Sequence, residues 1–419
     1  MKTIELFDGI VLRCFPENKF KQSCLSIQLL RPMCREEASL NALIPAVLLR
    51  GTQQAPDLQA ITSRLDDLYG AAVGALVRRV GDYQTTGLYC SFIDDQFAFS
   101  GDRVMEPMLE FLGQLLFCPV LENGAFREDY VQTEKRNLIL TIEAQRNDKR
   151  AYANERLIQK MCAKDNFGLS RLGQTKLVEK ITPQTAYAHY RKILSESPIQ
   201  LIYVGSTAPE QVADMLRPLF AGLSRNYVNL PPQTAFTDPP TGGHSETLEV
   251  TQGKLCMGFV TPITLRDRGF AAMQVLNMLF GGSMTSKLFM QIREAQSLCY
   301  DIGSGYHGSK GVLTVSSGID FDKEESVTNQ VLSILDDCRN QSFTDEELKA
   351  SKQALMTQLQ AIHDSPSSIE NYYTSALLSG LDKTPREYMQ AVEAVTAEQV
   401  AQAASTLQLH TVYFLRGVR

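Results

Sequence analysis

The 419-residue sequence has no tryptophan, only five histidines and no pair of cysteines spaced Cys-x-x-Cys. The missing cysteine pair removes zinc ribbons and thioredoxin-like redox sites. The nine cysteines (Cys14, Cys24, Cys34, Cys90, Cys118, Cys162, Cys256, Cys299, Cys338) are an odd number without disulfide-like spacing. They suit buried or free thiols in a reducing compartment. A nucleophilic cysteine needs a histidine and an electropositive pocket beside it, and no local signature marks one. The longest apolar run, near residues 42–49, is far short of the roughly 20 residues that cross a bilayer. Basic clusters and basic–aromatic stripes are absent too, and a net charge of −6 disfavours nucleic acid as a partner. The opening Met-Lys-Thr-Ile-Glu-Leu-Phe-Asp carries acids where a signal peptide needs an apolar core. A cytoplasmic chain that engages no membrane is therefore expected.

What the sequence does have is length and repetition. A chain of 419 residues is too long for one ordinary core, so at least two domains are expected. Strand-like segments open each half, at 3–6, 10–14 and 24–30 in the first and at 246–250 and 254–260 in the second. An apolar helix follows, ending in Gly51-Thr52 or Gly281-Gly282. A second helix then leads to Tyr69 or Tyr300, in each case eighteen residues beyond Gly51 or Gly282. Alternating segments come next, at 72–79 and 83–92, then at 302–306 and 312–319. Each half continues into two long helices, 105–116 and 126–146 or 325–338 and 343–362. Thr182 and Thr396 each cap a short helix, and apolar strands at 200–205 and 411–415 close the halves. The common order implies duplication of one α+β unit. Between the copies, residues 229–245 hold two Pro-Pro pairs and Gly242-Gly243, which read as an extended linker without regular structure. The expected domains are 1–228 and 246–419.

The stretch 280–300 carries the most chemistry. Gly281 and Gly282 are expected to end a helix through the left-handed conformation that glycine tolerates. Ser283, Thr285 or Ser286 can cap the next helix, whose apolar face holds Leu288, Phe289 and Ile292. That helix ends near Leu298, and Tyr300 starts a strand, so Arg293 and Tyr300 flank a helix-to-strand corner. This string resembles the C-terminal half of the insulinase/pitrilysin family of zinc peptidases, which includes the mitochondrial processing peptidase. In that family a glycine-rich turn, a leucine–phenylalanine-rich helix, an arginine and a tyrosine seven residues later follow one another. The resemblance runs nearly the full length. It implies two homologous halves, each a mostly antiparallel sheet with helices packed on one face.

Catalytic members of the family carry His-x-x-Glu-His on the helix before a Lys/Arg-Gly-Thr ending. Histidines at i and i+4 share a helix face and bind zinc, and the glutamate polarises the zinc-bound water. Aligning Arg50-Gly51-Thr52 with that ending puts Ala42 and Ala46 at the histidines and Pro45 at the glutamate. Pro45 is expected to kink the helix. The third ligand falls at Leu140 or Thr141, with Glu143 nearby reading as a solvated helix residue. The five histidines (His189, His244, His307, His363, His410) form no pair at ligand spacing and read as surface or loop residues. No metal is expected in this chain. The resemblance implies a non-zinc subunit, like the bacterial members found as companions of a zinc-bearing paralogue. The partner would hold zinc through His-x-x-Glu-His, and Arg293 and Tyr300 would bind peptide substrate and stabilise the oxyanion in trans. An inactive scaffold or a peptide-binding protein of the same fold remain alternatives. In them Arg293 is an ion-paired surface residue and Tyr300 a residue inherited with the fold.

Overall fold

Along residues 10–16 burial alternates, with Ile10, Leu12 and Cys14 fully buried, as expected for a strand covered on one face. The computed structural model describes residues 1–99, 101–381 and 383–418. The first half begins with β1 (Lys2–Phe7), β2 (Ile10–Pro16), β3 (Gln22–Pro32), α1 (Arg35–Leu48), α2 (Leu58–Asp67), β4 (Ala72–Val80) and β5 (Tyr83–Ile93). It continues with α3 (Met105–Phe117), the short strands β6 (Leu121–Glu122) and β7 (Ala125–Phe126), α4 (Glu128–Ala144) and α5 (Lys149–Met161). Then come α6 (Thr175–Val178), α7 (Pro183–Glu196), β8 (Ile199–Gly205) and α8 (Pro209–Phe220). The second half opens with β9 (Gly242–Leu248), β10 (Gly253–Val260), α9 (Phe270–Asn277), β11 (Cys299–His307) and β12 (Val312–Ile319). It ends with α10 (Glu324–Arg339), α11 (Asp345–Ala361), α12 (Pro366–Ser379), α13 (Pro385–Glu393), α14 (Ala397–Thr406) and β13 (Gln408–Gly417).

The α+β duplication is visible in the sheets. The first has the order β4-β5-β3-β8-β2, extended by β1, and the second has the order β11-β12-β10-β13-β9. In both, the closing strand of the half inserts beside the opening ones. β8 runs antiparallel to β3 and parallel to β2; β13 runs antiparallel to β10 and parallel to β9. Thr182 and Thr396 cap α7 and α14 through reciprocal capping boxes, as the sequence predicts. Residues 242–245 depart from the linker reading, because they open β9. β9 is an outer strand bonded on one side only, where glycine is tolerated, and Gly242 takes φ +74° at its entry.

The chain forms two compact units, and each is discontinuous in sequence. The first contains Met1–Ile142, Leu169–Pro232 and His363–Ser375; the second contains Glu143–Gly168, Gln233–Ile362 and Ala376–Arg419. In the first unit Leu25, Ile27 and Leu29 of β3 enter the apolar core with Leu43, Ile44 and Val47 of α1. The alternate residues Ser26 and Gln28 face the other way. There Gln28 Nε2 donates to Glu370 Oε1 and to Thr374 Oγ1 of α12, both at 2.9 Å. Arg78 grips the fully buried Glu370 with two bonds of 2.9 and 2.8 Å. In the second unit α5 lays Tyr152, Ala153 and Leu157 against Cys256, Tyr413 and Leu415. Glu246 of β9 ties it down, accepting from Tyr152 at 2.8 Å, Arg156 at 3.0 Å and Tyr413 at 3.0 Å. These hydrogen bonds, opposed by burial, hold the Glu246 carboxyl below its ordinary range.

Removing Glu370 would strand Arg78 and Gln28 against a polar sheet face. Glu370→Ala is expected to lower the unfolding free energy by about 2–4 kcal/mol, less than a fully buried pair because Arg78 is partly solvated. Glu370→Gln should recover part of this. A urea titration followed by circular dichroism measures it, and an unchanged midpoint would show that the pair contributes nothing.

Candidate functional site

The apolar helix α9 does not stop at Asn277. It widens into a π-helical turn over Met278–Gly282, beyond which Ser283 is extended. A second π-helical turn, Phe289–Ala295, carries Arg293. Such turns recur at functional sites because the extra residue redirects side chains. Gly281 and Gly282 close the first helix as predicted, but not through a left-handed backbone, since neither has a positive φ. Crowding is the reason glycine is needed. A Cβ on Gly281 would stand 2.7 Å from Ser304 Oγ, and one on Gly282 2.8 Å from Asn277 Nδ2. The expected capping residues behave differently too. Ser283 Oγ donates back to Met278 O at 3.2 Å, and the Ser286 hydroxyl is buried without a partner.

Leu288 and Ile292 are buried as the helix pattern predicts. Phe289 is half-buried and supports the Arg293 guanidinium, which lies 4.6 Å from its ring centroid. Arg293 also pairs with Glu294 at 3.7 Å. Ser297, at φ +51°, turns the chain, and Leu298 N donates to Ile292 O at 3.0 Å. β11 then joins the sheet at its edge. Its register with β12 jumps from Cys299↔Ile319 to Asp301↔Gly318, which leaves Tyr300 as the extra residue of a bulge. Bulges at sheet edges re-aim a side chain. Tyr300 is 64% exposed, and its hydroxyl donates to Asp320 Oδ1 at a long 3.4 Å. The structure thus presents an exposed phenol and a half-exposed guanidinium on either side of one corner. Neither hydrogen-bonds the other.

At the zinc-motif positions, α1 runs unbroken from Arg35 to Leu48 through Pro45. Proline frees the carbonyl four residues earlier, that of Asn41, and Thr86 Oγ1 donates to it at 2.6 Å. The Asn41 side chain is fully buried; its Nδ2 donates to Gln84 Oε1 at 2.9 Å, and its Oδ1 meets His189 Nε2 at 2.7 Å. With the amide hydrogens facing Gln84, Oδ1 is the acceptor and His189 carries its proton on Nε2. Gln84 Nε2 in turn donates to Ala38 O at 3.1 Å and Arg171 O at 2.7 Å. Ala42 and Pro45 are buried and Ala46 half-buried, whereas Leu140 and Thr141 are exposed on α4. Thr141 Oγ1 bonds back to Asn137 O at 2.8 Å. Two methyl groups and a pyrrolidine ring offer zinc no donor, so the residues present do not fit the metal. Among the described residues no group of three or more His, Cys, Asp or Glu is placed to hold a metal ion.

The histidine reading needs correction. His189 on α7 and His410 on β13 are buried, not surface or loop residues. His410 Nδ1 meets Thr411 Oγ1 at 2.6 Å, and its Nε2 meets Asp238 O at 3.1 Å. Burial pushes His189 down to about 4, against the opposing pull of Glu37. Sequence reasoning missed the Asn41–Gln84–His189 network. Its only local signal is an amide, Asn41, at the head of an apolar helical run. No disulfide joins any of the nine cysteines, and burial pushes Cys14, Cys24, Cys256 and Cys338 up to about 12, which disfavours their thiolate forms. Among the described residues no helix is long and apolar enough to cross a membrane.

A duplicated α+β fold, with an exposed arginine–tyrosine corner in one copy and no metal donors at the motif of the other, defines a peptidase-type chain without its own zinc motif. The family pattern described as "Peptidase M16 inactive domain" matches residues 180–355. The "Probable inactive metalloprotease YmfF" of Bacillus subtilis (strain 168) is 30% identical over 409 residues, covering 98% of this chain and 96% of its own. The chain belongs to the M16 (insulinase/pitrilysin) peptidase family. The "Uncharacterized zinc protease YmxG" of the same organism is 30% identical over 165 residues, which are 38% of this chain and 40% of its own. The crystal structure of a conserved protein from Enterococcus faecalis V583 shares the fold, with a TM-score of 0.90, 24% identity and coverage of 100% and 98% of the two chains.

His189 is neutral in the fold down to about 4, against an ordinary 6.5. As pH falls, the unfolded chain binds this proton first. The contribution of the neutral histidine is therefore complete above pH 6.5 and is lost between 6.5 and 4. The loss is on the order of 3 kcal/mol. His189→Gln should flatten that part of the profile relative to wild type when Tm is followed from neutral to acid pH. Parallel profiles would contradict it.

Proposed function

We propose that this chain is the zinc-free subunit of a two-chain peptidase, supplying Arg293 and Tyr300 to a zinc site held by a homologous His-x-x-Glu-His partner. The observation that carries the reading is the bulge at Tyr300, which spends a rigid strand position on exposing a phenol beside a half-exposed arginine. A residue serving only the core would not be turned outward. Zinc, when bound by the partner, supplies the polarised water. The Tyr300 hydroxyl donates to the peptide carbonyl oxygen as negative charge gathers there, and the Arg293 fork holds adjacent peptide carbonyls. The stacked Phe289 ring and the π-helical turn fix Arg293 in advance, so little ordering is left for the moment of reaction. A zinc protease in the organism of the inactive relative supports the existence of such a pair. Nine cysteines without a disulfide support a reducing, cytoplasmic setting.

A second reading is a non-catalytic scaffold or peptide-binding chain of the same fold. The buried Asn41–Gln84–His189 network favours it, because it keeps α1 packed without any metal.

Co-expression with the His-x-x-Glu-His paralogue of the same genome separates the two. The first reading expects a stable pair with about one zinc, the requirement of a single catalytic site, and cleavage of a quenched-fluorescence peptide. Tyr300→Phe and Arg293→Ala should each lower kcat by about 100-fold or more with the pair intact on gel filtration. Full activity in both variants would end the catalytic reading, and a stable pair without peptidase activity would favour the scaffold.

A further inference from the structure

Arg150, on the first turn of α5, reaches the same corner from a segment far away in sequence. Asp148 caps α5 by accepting from Arg150 N at 3.0 Å and Ala151 N at 2.9 Å, and Glu246 pins the helix through Tyr152 and Arg156. Arg150 therefore projects from a fixed backbone. Its Nη1 pairs at 3.0 Å with Asp301, the residue that follows Tyr300. Asp301 is itself held, because Gly318 leaves room for it; a Cβ there would stand 2.4 Å from Asp301 Oδ1. A Cβ on Gly303 would lie 3.7 Å from Arg150 Nη2 and 3.4 Å from Gly281 O, both ordinary van der Waals contacts. The guanidinium therefore lies close to β11 near the glycine turn. Arg150 remains about half exposed, with a side-chain accessibility of 52%.

Beside it opens a groove of about 570 Å³ between the start of α5 and the β9–β10 turn, lined by Lys149, Arg150, Thr251, Gln252 and Lys254. The carboxylates of Asp148 and Glu249 also line it, and Asp148 Oδ1 accepts from the backbone amides of α5. Lys149 Nζ is tethered to Arg146 O at 2.8 Å and Lys254 Nζ to Gln252, so of the three cations that line the groove two have neutral partners.

We propose that Arg150, with Lys149 and Lys254, forms a subsite that takes a carboxylate of a peptide lying across the Tyr300 corner. It rests on reading that corner as a peptide contact and adds a substrate class to it. A carboxylate meets the free edge of the Arg150 fork and exchanges with, or shares, the hold of Asp301. The carboxylate comes from an acidic side chain or from a peptide C-terminus.

Binding to the full chain alone tests this, by fluorescence anisotropy with three labelled extended peptides. One has an internal Glu and an amidated end, one has no acid and a free C-terminus, and one has neither. The expected result is that the first or the second binds about ten-fold tighter than the third, the scale of one charge-assisted pair, and which of them does so names the source. Arg150→Gln brings that ratio to about 1, and Arg150→Lys keeps an intermediate ratio, which a merely misfolded chain would not. Asp301→Asn removes the competing carboxylate and raises the ratio. Equal binding of all three peptides, no binding of any, or a ratio that survives in Arg150→Gln overturns the subsite. The parent reading fails separately, through unchanged cleavage by the paired Arg293 and Tyr300 variants.

Discussion

The fold depends on two helices that pack away from their own half of the sequence. Helix α12 belongs to the C-terminal half, yet its first turns complete the first unit through Glu370. Helix α5 belongs to the N-terminal half, yet it completes the second unit through Glu246. Both attachments use a carboxylate that receives several hydrogen bonds, fully buried at Glu370 and half-buried at Glu246. Burying such a group costs little only while every partner is present, so each helix has one position that satisfies its carboxylate. Neither half of the sequence therefore contains a complete unit. The arginine that α5 brings to the Tyr300 corner is a consequence of that exchange.

The two copies have diverged. In the first, α1, where the family resemblance puts the zinc motif, is a packing element. Ala42 and Pro45 are buried, and the neighbouring Asn41 is spent on Gln84, Thr86 and His189. In the second, the corner before Tyr300 has widened backbone, with two π-helical turns, a left-handed Ser297 and a bulge between residues 278 and 301. Backbone of that kind is retained where it aims side chains. Membership of the M16 family accounts for the shared frame.

Much of this was legible in the residues. Period-two burial, capping threonines and the repeated order of segments are local or nearly local signals, and they led to the right strands, most of the long helices and the duplication. The glycine pair was read for the wrong cause. Gly281 and Gly282 answer to Ser304 and Asn277, one of them across the fold, and not to their own dihedral angles.

The sequence alone determined the fold class, the family frame and the absence of metal donors at Ala42, Pro45 and Ala46. Each of these is carried by residue type and short spacing. Tertiary structure decided which histidines are buried, where α5 and α12 dock, that Tyr300 is the bulged residue, and that Arg150 stands beside it. Those facts depend on pairings across 40 to 340 residues, such as Asn41 with Gln84, Arg150 with Asp301 and Gln28 with Glu370. Such contacts are chosen by which sheet face is left polar once the apolar face is filled, and no local pattern records that choice.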